Sequence, residues 1–369
     1  MVNADEFVRI LKEQSFEFFC GVPDSLLKVL ISALPNESHI VAANEGTALS
    51  IACGYYLATH KTPVVYLQNS GLGNLANPLA SLSHSSVFDI PVLYIIGWRG
   101  EPGISDEPQH IVQGEVSERF LGLLGVCHKV LDAASNVDEE ILSARKFIKK
   151  NHKSYALLVR KNTFIIPHDD TSVSRPVFSR HEAMSLVTES LSADDYVVST
   201  TGMISRELYE LCKNRAQKNY FYTLGSMGHA SQIALGLALN CKHRVFVFDG
   251  DGAFIMHMGG VATISQMQPK NYYHIVFNNG AHDSVGGQAT AGFAISIRDI
   301  ALAAAYPNAF IAKSRKELIE VLPAFFDSRG PSLLEIQVDR GAQPKVGRPH
   351  ESPRQLKHLF MKALGVLGE

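Results

Sequence analysis

Short apolar runs and amphipathic stretches alternate along this chain. In the first half, runs at 17–20, 40–43, 64–68, 92–96 and 155–159 read as strands, because each is short, rich in β-branched or aromatic residues and bounded by Gly, Asn or Pro. Helical patterns lie between them. Periodicity fades after Lys161 in IIPHDDTSVSRP, where Pro, Ser and Asp gather as they do in linkers. The second half repeats the plan, with strands expected at 196–199, 220–222, 245–248, 273–277 and 333–338. Strands alternating with helices predict an α/β protein with two doubly wound parallel sheets. The expected division is 1–165 for the first domain, 166–180 for the linker and 181–369 for the second domain.

Composition narrows the class without changing this picture. At 369 residues the chain is too long for one ordinary core. A net charge of −2 with both signs dispersed argues against nucleic-acid binding. The N-terminus reads as an acidic amphipathic helix and not as a secretory signal, and no apolar run has the length to span a bilayer. Cys20, Cys53, Cys127, Cys212 and Cys241 form no CxxC pair and are expected to be reduced core thiols in a cytoplasmic protein.

Chemistry enters at VFVFDGDGAF, followed by HIVFNNGAHD. Parallel strands joined by one crossover bring their carboxyl ends side by side, where open α/β sheets bind ligands. Asp251 and Asn279 are therefore expected to meet. A carboxylate, an amide oxygen and a nearby main-chain carbonyl are hard donors that suit a Mg²⁺ keeping its other positions for phosphate and water. Gly250 and Gly252 would let the backbone approach a diphosphate, with a helix opening at about Ala253. Asp249 and Asp251 also read as the Asp-x-Asp of a haloacid-dehalogenase-like phosphatase or a fragment of a Ca²⁺ loop. The phosphatase needs a hydroxyl residue where Ala253 stands, and the Ca²⁺ loop lacks its later acidic ligands.

These motifs, with HIVAANEGTALSIACGYYLAT and YTLGSMGHASQIALGLAL, resemble the thiamin-diphosphate-dependent 2-oxoacid decarboxylase family over essentially the whole chain. The resemblance implies a pyrimidine-binding first domain and a diphosphate-binding second domain, without the middle domain many members carry. It implies that Asp251, the Asn279 side chain and the Ala281 carbonyl hold Mg²⁺. Glu45 would hydrogen-bond the cofactor's aminopyrimidine and drive its proton shuttle, the Gly225 carbonyl would receive the 4′-amino group, and Met227 would wedge under the cofactor. Both halves are needed at one cofactor and normally come from different subunits, so a homodimer or a higher oligomer is implied.

The short form, with LQNSGLGNLANPLASL, GWRGEPGISDEPQH and NNGAHDSVGGQAT, is similar to the phosphonopyruvate and sulfopyruvate decarboxylases. The expected reaction is loss of CO₂ from 3-phosphonopyruvate to give phosphonoacetaldehyde. Sulfopyruvate decarboxylation, carboligation and a silent partner-binding subunit are the alternatives. A substrate with a carboxylate and a phosphonate asks for cationic and donor groups. Arg99 is the candidate for the phosphonate, or else a loop arginine paired with Glu101 or Asp106, while Ser25, Asn69 and Asn74 are candidate donors. Where pyruvate decarboxylases carry a glutamate after the second Asn this chain has Val285, and it has no His-His pair. Asp24, His110 and His282 are then the candidate proton donors.

Overall fold

The computed structural model describes residues 1–165, 177–215, 219–343 and 346–367. Two compact units divide the chain, Met1–Ser172 and Val173–Glu369. Most of the expected linker, 166–176, lies outside the described residues. Its described end is folded: Phe178 is buried, Asp339 accepts the amides of Val177 and Phe178, and Ser179 caps a helix that opens at Arg180.

The first unit is built on a six-stranded sheet in the order His39–Val41, Phe19–Gly21, Val64–Gln68, Leu93–Gly97, Tyr155–Val159, Cys127–Leu131, with every neighbouring pair parallel. A separate parallel pair joins Val2–Asn3 to Phe164–Ile165. Side chains alternate between the faces of the central strands: Val64 and Tyr66 enter one apolar core with Phe7 and Leu11, while Val65 and Leu67 enter the other with Leu49 and Leu75. Helices cover both faces, as a buried parallel sheet requires.

The second unit repeats the scheme. Its sheet runs Tyr220–Tyr222, Tyr196–Ser199, Val245–Gly250, Tyr272–Asn278, Ser332–Gln337, Asn308–Ala312, again all parallel. Numbered in chain order from Phe19–Gly21 and from Tyr196–Ser199, both six-stranded sheets have the order 2-1-3-4-6-5. The reversal of strand order beside the first strand opens a crevice at the carboxyl ends, which is where the motif residues stand.

Ten strands fall where the sequence places them, while the edge strands Cys127–Leu131 and Asn308–Ala312 and the short pair Val2–Asn3 and Phe164–Ile165 do not figure in that reading. Among the described residues no helix is long and apolar enough to cross a membrane. The cysteines are unpaired, but Cys127 is exposed and Cys241 is half-buried, so only Cys20, Cys53 and Cys212 are the core thiols expected of all five.

Candidate active site

In the first unit Glu45 opens the helix Glu45–Thr59, which Asn44 caps by accepting the Thr47 amide at 2.9 Å. Its carboxylate is buried and accepts a hydrogen bond from Asn74 Nδ2 at 2.8 Å. Gly71 leaves it room, since a Cβ at that position would overlap Oε1 and Cδ. Burial, only partly offset by the Asn74 bond, holds the carboxyl above its ordinary pKa.

A second group gathers around Arg99, just past strand Leu93–Gly97. Arg99 Nε and Nη2 both donate to Asp106, and Nη1 donates to Ser25 Oγ at 2.9 Å. The loop pairing that stands as the alternative for Arg99 is therefore present with Asp106, and Glu101 pairs instead with Arg160. Asn69 accepts the Arg99 amide at 3.1 Å and donates to its carbonyl at 2.7 Å and to Ser117 Oγ at 3.0 Å. Both amide hydrogens of this buried side chain are thus engaged within the chain. The turn Asn69–Gly71 joins the two groups, pinning Arg99 at one end and backing Glu45 at the other.

Asp24 is fully buried beside Ser25. Its Oδ2 accepts the amides of Leu26 and Leu27 at 2.9 and 3.2 Å, while Oδ1 has no hydrogen-bond partner among the described residues. Burial pushes its pKa up to about 6 against the pull of those amides and of Arg99. His110, also buried, has an Nδ1 with no partner among the described residues, and burial followed by the charge of Arg99 pushes its pKa down to about 4. The ring is neutral at neutral pH.

In the second unit the helix after Val245–Gly250 opens at Asp251, not at Ala253, and runs only to Met256. Asp251 is buried, accepts from the hydroxyl of Thr290 and the amide of Asn279, and is pushed by burial to a pKa of about 6. The register sets Gly250 opposite Phe277, so Asp251 and Asn279 leave neighbouring strand ends. The Asn279 Oδ1 accepts the Ala281 amide at 3.1 Å, and Nδ2 donates to Asp283 at 2.6 Å.

Gly252 lies against the His282 ring and Met227: a Cβ there would stand 2.7 Å from His282 Cε1 and 3.3 Å from Met227 Cε. Met227 is half-buried, with its methyl reaching the Gly252 turn. The loop beginning at Gly225 continues through Ser226 at φ +53° and Gly228 at φ +84°, and Gly228 approaches the Ala253 carbonyl. His282 sits at a pKa of about 4 because burial outweighs the nearby Asp283 charge, so it too is neutral at neutral pH.

Among the described residues no three His, Cys, Asp or Glu side chains cluster so as to hold a metal ion. A cation at Asp251 would rely on one carboxylate supplemented by amide and main-chain oxygens, a hard donor set that fits Mg²⁺ and disfavours Zn²⁺.

Several residues here escape a reading of the sequence. Thr290 gives no signal beyond its place in the loop after Asn279. Arg180, Glu207 and Asp283 form a buried ion cluster under that loop, yet Arg180 falls at the end of the expected linker. Asn74 reads as a turn donor and serves Glu45.

Residues 1–120 match the family "thiamine pyrophosphate enzyme, N-terminal TPP binding domain", and residues 200–336 match its C-terminal TPP binding domain. Phosphonopyruvate decarboxylase of Streptomyces hygroscopicus is 32% identical, with 98% of this chain and 93% of the relative aligned. Sulfopyruvate decarboxylase of Methanosarcina acetivorans is 27% identical over 99% of each chain. The beta subunit of Methanocaldococcus jannaschii sulfopyruvate decarboxylase is 44% identical over 30% of this chain and 57% of that subunit. With two parallel α/β units and a full-length relative at this identity, the chain belongs to the thiamin-diphosphate-dependent 2-oxoacid decarboxylases, carboxy-lyases that work with thiamin diphosphate and Mg²⁺.

Proposed function

We propose that this enzyme decarboxylates 3-phosphonopyruvate to phosphonoacetaldehyde and CO₂, a step of phosphonate biosynthesis. The observation that carries the reading is the Arg99 group in the first unit, where a guanidinium is held in fixed orientation beside Ser25 and the buried Asp24. Full-length similarity to a phosphonopyruvate decarboxylase supports the same substrate. Asp106 occupies the Nε–Nη2 edge of the guanidinium. The Nη1 end, shared with Ser25, is the one that meets the phosphonate, and a charged donor there suits an oxyanion. Asn69 contributes by holding the Arg99 backbone.

When bound, thiamin diphosphate supplies the electron sink that lets CO₂ leave. Asp251, the Asn279 amide oxygen and the Ala281 carbonyl would hold its Mg²⁺, Gly250, Gly252 and Ala253 would line the diphosphate, and Gly225 and Met227 would orient the aminopyrimidine and thiazolium. Glu45 exchanges a proton with the aminopyrimidine. A buried carboxyl with a raised pKa carries such a proton more readily than an exposed one.

The last step needs a proton at carbon. His110 and His282 are neutral at neutral pH and hold no spare imidazolium proton, whereas Asp24, at about 6, is protonated in a useful fraction of molecules. Asp24 is the donor we assign. The working form is a cytoplasmic homodimer or higher oligomer with active sites at the subunit interface. Exposed Ile111, Val112 and Val116 on the helix Ile111–Leu123 support an oligomer.

The test is CO₂ and aldehyde release from the purified protein with thiamin diphosphate and Mg²⁺, comparing 3-phosphonopyruvate, 3-sulfopyruvate and pyruvate. Preference for the phosphonate with one aldehyde per CO₂ is expected. Preference for the sulfonate, or CO₂ without aldehyde, would replace this reading by sulfopyruvate decarboxylation or by carboligation.

A further inference from the structure

The loop Asn279–Asp283 rests on an ion cluster that the chemistry above does not use. Arg180 donates through Nη2 and Nε to Glu207 at 2.8 and 3.2 Å, and through Nη1 to Asp283 Oδ2 at 3.0 Å. Side-chain exposures are 5% for Arg180, 1% for Glu207 and 11% for Asp283. Desolvating three charges is costly, and an apolar trio would stabilise the fold as well or better. Stability alone is therefore a weak reason for such a cluster, and its position supplies another.

Asp283 Oδ2 receives both Arg180 and Asn279 Nδ2, the latter at 2.6 Å. A carboxylate can only accept, so the amide nitrogen of Asn279 must face Asp283. The amide oxygen is thereby committed to the opposite side, where it accepts the Ala281 amide and retains a second lone pair. The Asn279 main-chain amide, for its part, donates to Asp251. Arg180 holds Asp283 in place, and Glu207 pairs with Arg180 and also accepts the Gln343 amide at 3.4 Å.

We infer that Arg180 and Asp283 are positioning residues that lock the Asn279 side chain with its oxygen toward the divalent cation. This rests on the reading of Asn279 as a metal ligand. Without the Asp283 carboxylate the amide nitrogen loses its acceptor, and only the Ala281 amide is left to oppose a flip. A flipped Asn279 would present an NH₂ group to the cation, which cannot ligate it. Outer-shell groups that orient a ligand in this way typically change metal affinity by about 10–100-fold.

Electron paramagnetic resonance of Mn²⁺ bound to the full-length protein with thiamin diphosphate reads this without turnover. Asp283→Asn, which is close in shape and can donate as well as accept, is expected to raise the Mn²⁺ dissociation constant about 10-fold or more. Saturating Mn²⁺ should then return kcat to near the wild-type value, a split that general loosening of the fold would not give. Arg180→Lys keeps the charge but loses the fork, and should fall between wild type and Arg180→Met. Asn279→Ala serves as the control. If it loses Mn²⁺ while folded Asp283→Asn binds within twofold of wild type, the positioning role is wrong and the ligand assignment stands. Should Asn279→Ala bind Mn²⁺ like wild type, the ligand assignment fails and the inference fails with it. Asp283→Asn keeps the question decidable if the Arg180 variants do not fold.

Discussion

Glu45 and Asp251 invite comparison. Each opens a helix just beyond a parallel strand, in sheets of the same strand order, and each is a buried carboxylate whose pKa is raised by that burial. Their surroundings differ. Glu45 has a single side-chain donor, Asn74, and its other oxygen lies against the bare Cα of Gly71. Asp251 is met by the Thr290 hydroxyl and by the Asn279 amide, in a loop that is itself braced from below. A carboxylate with few donors exchanges a proton easily. One surrounded by oriented donors is held in place and gains most from a cation. On the roles proposed above, the same residue class in the same kind of buried turn would do opposite work because of its neighbours.

Changing the two carboxylates should break the comparison most sharply. Glu45→Gln keeps the shape and the Asn74 contact but cannot carry the proton, so kcat should fall by about 10²–10⁴-fold with cofactor retention nearly unchanged. Asp251→Ala should show the reverse order of symptoms, with Mg²⁺-dependent retention of thiamin diphosphate lost first, as read by calorimetric titration. Because protons compete for Asp251, retention by the wild type should weaken as pH falls through about 6, and titrations across that range check it.

A smaller effect is expected at Thr290. Thr290→Val removes the hydroxyl that orients Asp251, and Mg²⁺ affinity should drop by about 10-fold while C2-proton chemistry at Glu45 is spared.

The smallest effects concern stability and have opposite signs. The folded-state pKa of Asp24, about 6, lies above its ordinary 3.8, so its contribution is fully present below 3.8 and is lost as pH rises through 6. Asp24→Asn should therefore raise the thermal midpoint above pH 6 and lose that advantage toward pH 4. His110 is depressed from 6.5 to about 4, so its contribution is present above 6.5 and is lost as pH falls toward 4. Replacing it with Asn should flatten that acid limb. Melting curves at stepped pH check both.

Much of the architecture was legible because central parallel strands are buried on both faces and read as unbroken apolar runs, as in VFVF and HIVF. The edge strand CHKVL is interrupted by His128 and Lys129 and is half-exposed, and NAFIA is only partly covered, so neither carries that mark. Asp251, Asn279 and Glu45 were legible because glycines and strand ends surround them. Their supports were not. Nothing near Thr290 in the sequence points back to Asp251, and Arg180, Glu207 and Asp283 are scattered over a hundred residues that only the fold brings together. For Arg99 the sequence left open whether a loop partner would be Glu101 or Asp106, and contact geometry picks Asp106.

The most direct test of this division of labour is the rate at which enzyme-bound thiamin diphosphate exchanges its C2 proton for deuterium, measured by quenched-flow NMR in wild type, Glu45→Gln and Thr290→Val, each saturated with Mg²⁺. The account predicts exchange slowed by about 10²-fold or more in Glu45→Gln and close to wild type in Thr290→Val. Wild-type exchange in Glu45→Gln would contradict it, because the buried carboxyl at position 45 would then not be the group that moves the proton.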